Sequence, residues 1–240
     1  MEENFMVEGE KLIREGIRSG LQLHTLFIEE GRETEWEDAL EVALVTPRLL
    51  MKKLSNLENA PTIIGFFIRK TFATLNDVVE RYRNLIILDR IQDPGNLGTI
   101  LRSCEALEAD AVILLQGTCS PWNSKAVRAA MGSSFRLPIV SDIDEEILFS
   151  RLREHDFCCL AADTRGTQLW GFRFPDKTAL FFGTEGAGLS PNITKRCSET
   201  LRIPMTDRVE SLNVSTSVAI CLYERLRSNR NISIVQAPLT

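Results

Sequence analysis

The chain has 240 residues, 44% of them apolar and 25% charged, with 28 Lys and Arg against 33 Asp and Glu and a net charge of -5. That composition fits a folded globular protein and excludes a disordered chain; no apolar run approaches the ~20 residues a bilayer span needs. The opening Met-Glu-Glu-Asn-Phe has no basic segment followed by an apolar one, so a cytoplasmic location and no membrane partner are predicted.

Residues 7–18 place Leu12, Ile13 and Ile17 at helical spacing. Leu21 to Ile28 reads as a strand, the acidic stretch Glu29 to Glu41 as a loop with a short helix, and Leu44-Val45 as a second strand. Pro47 to Leu54 reads as a helix with proline in its first turn, and Ile63 to Ile68 as a third strand. Residues 1–70 thus form a small α/β unit, and 71–84 a linker or connecting helix. From 85 to 240 the chain alternates regularly. Strands are expected at Leu85–Asp89, Ala111–Leu115, Leu137–Val140, Phe157–Ala162, Thr178–Phe182 and Thr200–Ile203. Helices are expected near 97–107, 124–131, 145–153 and 213–227, the last with Val214, Val218, Cys221, Leu222 and Leu226 as its apolar stripe. Such alternation predicts an α/β fold with a mostly parallel sheet covered on both faces.

Six cysteines lack any C-x-x-C pair and mostly lie in apolar patterns, where a reduced thiol acts as a small hydrophobe. His24 and His155 are the only histidines and neither has ligand spacing to a cysteine, so no metal site is predicted. The net acidity weighs mildly against a nucleic-acid partner, although local basic patches can hide within it. The possible patches are Arg69-Lys70, Arg81 with Arg83, Lys125 with Arg128, and Arg225 with Arg227 and Arg230; scattered solvated charge explains each equally well.

Three loops at strand ends carry the chemistry, where α/β sheets bind ligands. The first, Asp93-Pro-Gly-Asn-Leu-Gly98, makes Asn96 a helix N-cap or a substrate contact. Arg102 follows on the same helix, and its plain role would be an ion pair with Glu105 at i+3. The second, Gly183-Thr-Glu-Gly-Ala-Gly-Leu189, permits close backbone approach of a ligand, with Glu185 either binding a hydroxyl or amine or capping the helix near Pro191. In the third, Ser211, Asn213 or Ser215 caps the last helix or grips a ligand. There is no phosphate loop and no G-x-G-x-x-G fingerprint, and no histidine lies in these loops. The remaining chemistry needs positioning more than a strong base.

Together the segments 96–102, 183–189 and 203–215 resemble the motifs of the SpoU (TrmH-like) class of SPOUT RNA 2′-O-ribose methyltransferases. The resemblance covers about residues 85–228. The segments Val7-Glu-Gly-Glu-Lys-Leu and Leu49-Leu-Met-Lys-Lys-Leu-Ser look like that family's ribosomal-protein-like RNA-binding accessory domain. The resemblance implies a C-terminal trefoil knot, a homodimer with the active site at the subunit interface, and S-adenosylmethionine as cofactor. It implies Arg102, Asn96, Glu185, Ser211 and Asn213 as the catalytic set. Gly183, Gly188, Ile203, Met205 and Leu212 would contact the cofactor, largely through backbone groups. One position departs from the pattern: Asp207 stands where the family usually has glycine. The reaction implied is methyl transfer to a ribose 2′-hydroxyl, in ribosomal RNA before tRNA. Two other readings stand beside it: an RNA-binding or ribosome-assembly protein without turnover, and an ordinary nucleotide-binding α/β enzyme.

Overall fold

The structure is a computed structural model that describes residues 4–69, 73–184 and 186–229, without the side chains of residues 37–40. Two sheets organise it. The first has four strands, β1 (Asn4–Glu8), β2 (Leu23–Glu29), β3 (Ala43–Thr46) and β4 (Ile63–Ile68), in the order β1-β4-β2-β3. β4 runs antiparallel to both β1 and β2, and β3 runs parallel to β2. Helices α1 (Glu10–Arg18) and α2 (Arg48–Leu54) and a 3-10 segment over Glu33–Val42 complete this part. β1 lies in front of and partly within the stretch expected to be helical. Phe5 and Val7 point inward with a period of two, and Gly9 at φ 93° turns the chain into α1. Pro47 sits at the N-cap of α2 rather than inside its first turn.

The chain then forms α3 (Leu75–Arg81), in the stretch read as a linker or connecting helix. Thr74 and Asp77 make a reciprocal capping box there. The second sheet has six parallel strands: β5 (Asn84–Leu88), β6 (Ala111–Leu115), β7 (Ile139–Ile143), β8 (Cys158–Gln168), β9 (Thr178–Phe182) and β10 (Glu199–Arg202), in the order β10-β8-β9-β5-β6-β7. Every residue of β5, β6 and β9 is buried, so both faces must be covered. The intervening helices are α4 (Pro94–Ala106), α5 (Ser124–Ala130), α6 (Glu145–Glu154), α7 (Pro191–Arg196) and α8 (Val214–Asn229). α4 and α8 pack Leu97, Ile100, Leu101, Val218 and Leu222 on one face. α3 and α6 pack Val78, Val79, Leu148, Phe149 and Leu152 on the other. The observed β7 begins two residues later than expected, and β8 is much longer. Leu160 and Ala161 pair with β10, and pairing resumes only at Thr167 and Gln168, so residues 162–166 bulge out of the ladder.

The two sheets meet across α5 and the turn after it. Phe5 and Phe67 of the first sheet share a cluster with Val127, Phe135 and Trp122. The Glu8 carboxylate is fully buried there and accepts from Arg128 Nη1 at 2.7 Å, Ser55 Oγ at 2.6 Å and the Asn56 amide at 3.1 Å.

The charged patches read from the sequence resolve mostly into internal ion pairs. Lys125 pairs with Asp93, Arg128 with Glu8, Arg83 with Asp176, Arg81 with Asp77 and Arg227 with Glu224. Arg225 is buried, and desolvation pulls its guanidinium below the usual arginine range. Arg69 lies over the Trp122 ring, while Lys70 and Arg230 fall outside the described residues. The six thiols are free, and burial pushes those of Cys159, Cys197 and Cys221 up to about 12, as expected of packing residues. No described helix is long and apolar enough to cross a membrane.

α4 and α5 touch at Gly98, where a Cβ would stand 2.3 Å from the Ala126 carbonyl oxygen and 2.6 Å from Ala129 Cβ. Both neighbours belong to a packed helix and cannot step aside. Gly98→Ala is therefore expected to destabilise the fold by about 1–3 kcal/mol, despite alanine's better helix propensity, read as a lower urea midpoint.

Candidate active site

Because the strands of the second sheet are parallel, the loops after β5, β8, β9 and β10 leave the same edge. The first of these loops opens α4. Its N-cap is Asp93, not Asn96: the Asp93 carboxylate accepts from the Gly95 amide at 2.5 Å and pairs with Lys125 Nζ at 3.0 Å. Lys125 and the Gly95 amide hold that carboxyl below its usual range. Asn96 is thereby released from capping and sits three residues into the helix. Its Oδ1 accepts from Asn213 Nδ2 at 3.0 Å. Asn213 is the residue of the third loop that caps α8. Its Oδ1 accepts from the Ser215 amide at 2.9 Å and from Ser215 Oγ at 2.5 Å, and its carbonyl accepts from the Ser217 amide. One hydrogen bond thus ties the N-terminus of α4 to that of α8.

Arg102 is exposed on α4, and among the described residues its guanidinium has no hydrogen bond or ion pair. The simple pairing with Glu105 does not form, because Glu105 is engaged by Arg136 instead.

The second loop is a tight return. Thr184 and Gly188 exchange backbone hydrogen bonds of 3.2 and 2.9 Å, with Gly188 at φ 65°. A Cβ on Gly183 would lie 2.2 Å from the carbonyl carbon and oxygen of Gly188 and 2.3 Å from the Leu189 nitrogen. Only glycine lets β9 run into its own returning loop. Ser190 caps α7 by accepting from the Ile193 amide at 3.1 Å. Glu185 itself lies outside the described residues.

The bulge of β8 and the loops after β9 and β10 surround a cavity of about 450 Å³, within the range of small-molecule sites. Gly183, Gly188, Ile203, Met205, Ser211 and Leu212, all singled out in the sequence, line it together. Asn96, Arg102 and Asn213 do not line it. Asn213 stands beside it in the chain, between the lining residues Leu212 and Val214. Asp207 is exposed and stands outside the wall. The sequence reading missed the opposite wall, residues 162–165, which is the bulge of β8. Asp163 Oδ1 accepts from the Arg165 amide at 3.0 Å, and Gly166 at φ 131° brings the backbone against Thr200, where a Cβ would meet its carbonyl oxygen at 2.3 Å. The signal was present as Asp163-Thr-Arg-Gly166 after an apolar run, a turn signature at a strand end.

A sequence profile of the SpoU rRNA Methylase family matches residues 83–223, more than half of the chain. The chain is 28% identical over 219 residues to the 23S rRNA (guanosine(2553)-2'-O)-methyltransferase RlmP of Bacillus subtilis, covering 91% of this chain and 87% of that protein. Among solved structures it resembles the SpoU methyltransferase AviRb from Streptomyces viridochromogenes in complex with AdoMet. The TM-score is 0.85 at 26% identity, over 95% of this chain and 91% of that one. An AdoMet-bound rRNA methyltransferase from Sinorhizobium meliloti matches with a TM-score of 0.83 at 28% identity, over 96% and 88%.

Gly183→Ala should force the returning loop open. The expected result is a stability loss of about 1–3 kcal/mol and faster hydrogen exchange at the Gly188 amide. Gly186, whose added Cβ would meet nothing within 4 Å, is the control, and Gly186→Ala should leave both unchanged.

Proposed function

The chain belongs to the SpoU rRNA methylase family, and from that premise we propose that it methylates a ribose 2′-hydroxyl in RNA with S-adenosylmethionine as cofactor. The observation that carries this reading is the cavity on which the second and third motif loops converge. Its residues fit the cofactor. Phe182, Leu201, Ile203, Leu212 and Val214 offer an apolar wall for a base. Thr164, Ser211 and Ser217 offer hydroxyls, and Asp163 and Glu210 carboxylates, for the ribose and the amino-acid portion. The Cβ-free approach of Gly183 to Gly188 shapes a cradle that a side chain would fill. When bound, S-adenosylmethionine supplies a methyl group already activated by its sulfonium.

What remains for the protein is to hold the ribose and stabilise the oxygen that loses its proton. The Arg102 guanidinium carries a permanent positive charge. Its role is to grip an RNA phosphate and stabilise developing alkoxide charge with its planar fork. Asn96 and Asn213, locked to each other, orient this end of the site, with Ser211 and Glu185 completing it. The proton leaves to solvent.

Arg102 is exposed and absent from its own chain's cavity wall, which supports a homodimer in which the site is composite. The surface left open at Trp170 (80% exposed) and Tyr223 (59%) supports a covering partner. The reading includes a cytoplasmic location, the C-terminal knot and the division into residues 1–70, 71–84 and 85–240, the first an RNA-binding ribosomal-protein-like domain. Ribosomal RNA is the preferred substrate, supported by the likeness to RlmP. The position of Asp207 outside the cavity wall gives no support to a protein without turnover.

The test is transfer of labelled methyl from S-adenosylmethionine to RNA lacking native modification. Label in large-subunit ribosomal RNA at one alkali-resistant linkage is expected. Label in tRNA would move the substrate assignment, and label on a base would overturn the 2′-O assignment. Arg102→Lys should lower turnover by at least about tenfold with unchanged cofactor affinity, because lysine is a point charge without the fork. Near-normal turnover would refute the bidentate role.

A further inference from the structure

Glu105 lies at i+3 from Arg102, within reach for a helical ion pair. The structure diverts it. Arg136, in the turn after α5, donates from Nε to Glu105 Oε1 at 2.5 Å and from Nη2 to Oε2 at 2.9 Å. This is a two-pronged fork, stronger and more directional than a single helical contact. The same guanidinium also bonds Glu15 of α1 and reaches Ser19 Oγ at 3.5 Å. Gly132, at φ 95°, brings the chain in close beside Glu15 and Arg136. A Cβ there would stand 2.8 Å from Glu15 Cγ and 3.4 Å from Arg136 Nη1. Arg136 first, and Ser133 after desolvation, act on Glu105, and its carboxyl lies below the usual range. Glu105 is therefore charged at neutral pH and would be a competitor for Arg102 if let go.

We propose that Arg136 is a positioning residue: by clamping Glu105 it keeps that carboxylate from closing on Arg102, so the Arg102 guanidinium stays open to RNA. This rests on the reading that Arg102 grips the substrate. The clamp works in two ways. It prevents an ion pair that would occupy the fork of Arg102. It also neutralises a carboxylate one turn from where a phosphodiester must approach. The node joins three elements distant in sequence, so α1 of the first sheet is tied to the helix that carries Arg102.

The test uses the full chain and unmodified ribosomal RNA. Arg136→Met should lower kcat/KM for RNA about fivefold, the order of one helical ion pair plus one like-charge repulsion. S-adenosylmethionine affinity, measured by calorimetry, should not change. Arg136→Met with Glu105→Gln should return to within about twofold of the parent, because no carboxylate remains to compete. Glu15→Gln breaks the other ion pair of Arg136, leaves Glu105 clamped, and should retain parental activity. Arg136→Lys, which keeps a charge for Glu105 and disturbs packing least, should lie between. Thermal melting of each variant separates folding from catalysis. Parental activity in Arg136→Met, or a double variant as impaired as the single one, would overturn the proposal. Arg102→Ala keeps the two readings apart. If it turns over normally, the role of Arg102 falls; if it is inactive while Arg136→Met is normal, only the clamp falls.

Discussion

Parallel pairing of the six-stranded sheet is the constraint from which the site follows. Every strand enters at one edge and leaves at the other, so the loops after β5, β8, β9 and β10 must gather at the same edge. The order β10-β8-β9-β5-β6-β7 adds a reversal beside β5, where the chain turns from building one side of the sheet to building the other. Such a switch point leaves a crevice between diverging connections. Gly183 then decides what kind of crevice it is. A side chain there would collide with Gly188, so the loop after β9 closes tightly on itself and leaves the space in front of it free. The cavity is thus set by one backbone approach and one strand order, and its lining comes from segments far apart in sequence.

The sheet was legible because a strand buried on both faces reads as an unbroken apolar run, as in Leu85-Ile-Ile-Leu88 and Ala179-Leu-Phe-Phe182. The glycine loop was legible because nothing but glycine meets its geometry. Other features depended on competition between residues that sequence does not rank. Asp93 and Asn96 are both good caps. Asp93 wins because Pro94 fits the first helical position and Lys125, thirty-two residues away, neutralises the carboxylate. The wall at 162–165 was hidden because Phe157 to Ala162 looks like a complete strand. Only the pairing with β10 shows that it resumes at Thr167. β1 was missed because the helical pattern of Leu12, Ile13 and Ile17 was extended back over Val7 and Glu8, and only the partner strand β4 settles the period.

Electrostatics show the same dependence on distant partners. An acidic chain is a poor nucleic-acid binder on average charge, and its basic clusters are mostly spent inside the molecule. Lys125, Arg128, Arg83 and Arg227 all have carboxylate partners. A cation that is exposed and lacks such a partner stays open to solvent. Arg102 meets both conditions, and Arg165 at the cavity rim comes close, its side chain 92% exposed and its nearest carboxylate 3.7 Å away. Counting charges in the sequence could not separate these from the structural ones, since only folding assigns the partners.

α4 concentrates these demands in thirteen residues. Leu97, Ile100, Leu101 and Cys104 bury one stripe against the sheet. Gly98 admits α5, Asn96 binds the cap of α8, and Glu105 is taken by Arg136. The direction left over belongs to Arg102. Its guanidinium stands on a rigid base and has no internal partner among the described residues. Each of the other contacts of α4 fixes the helix axis or engages Glu105. The helix therefore leaves one exposed cation among contacts that other segments supply, and its packing cannot be understood apart from those partners.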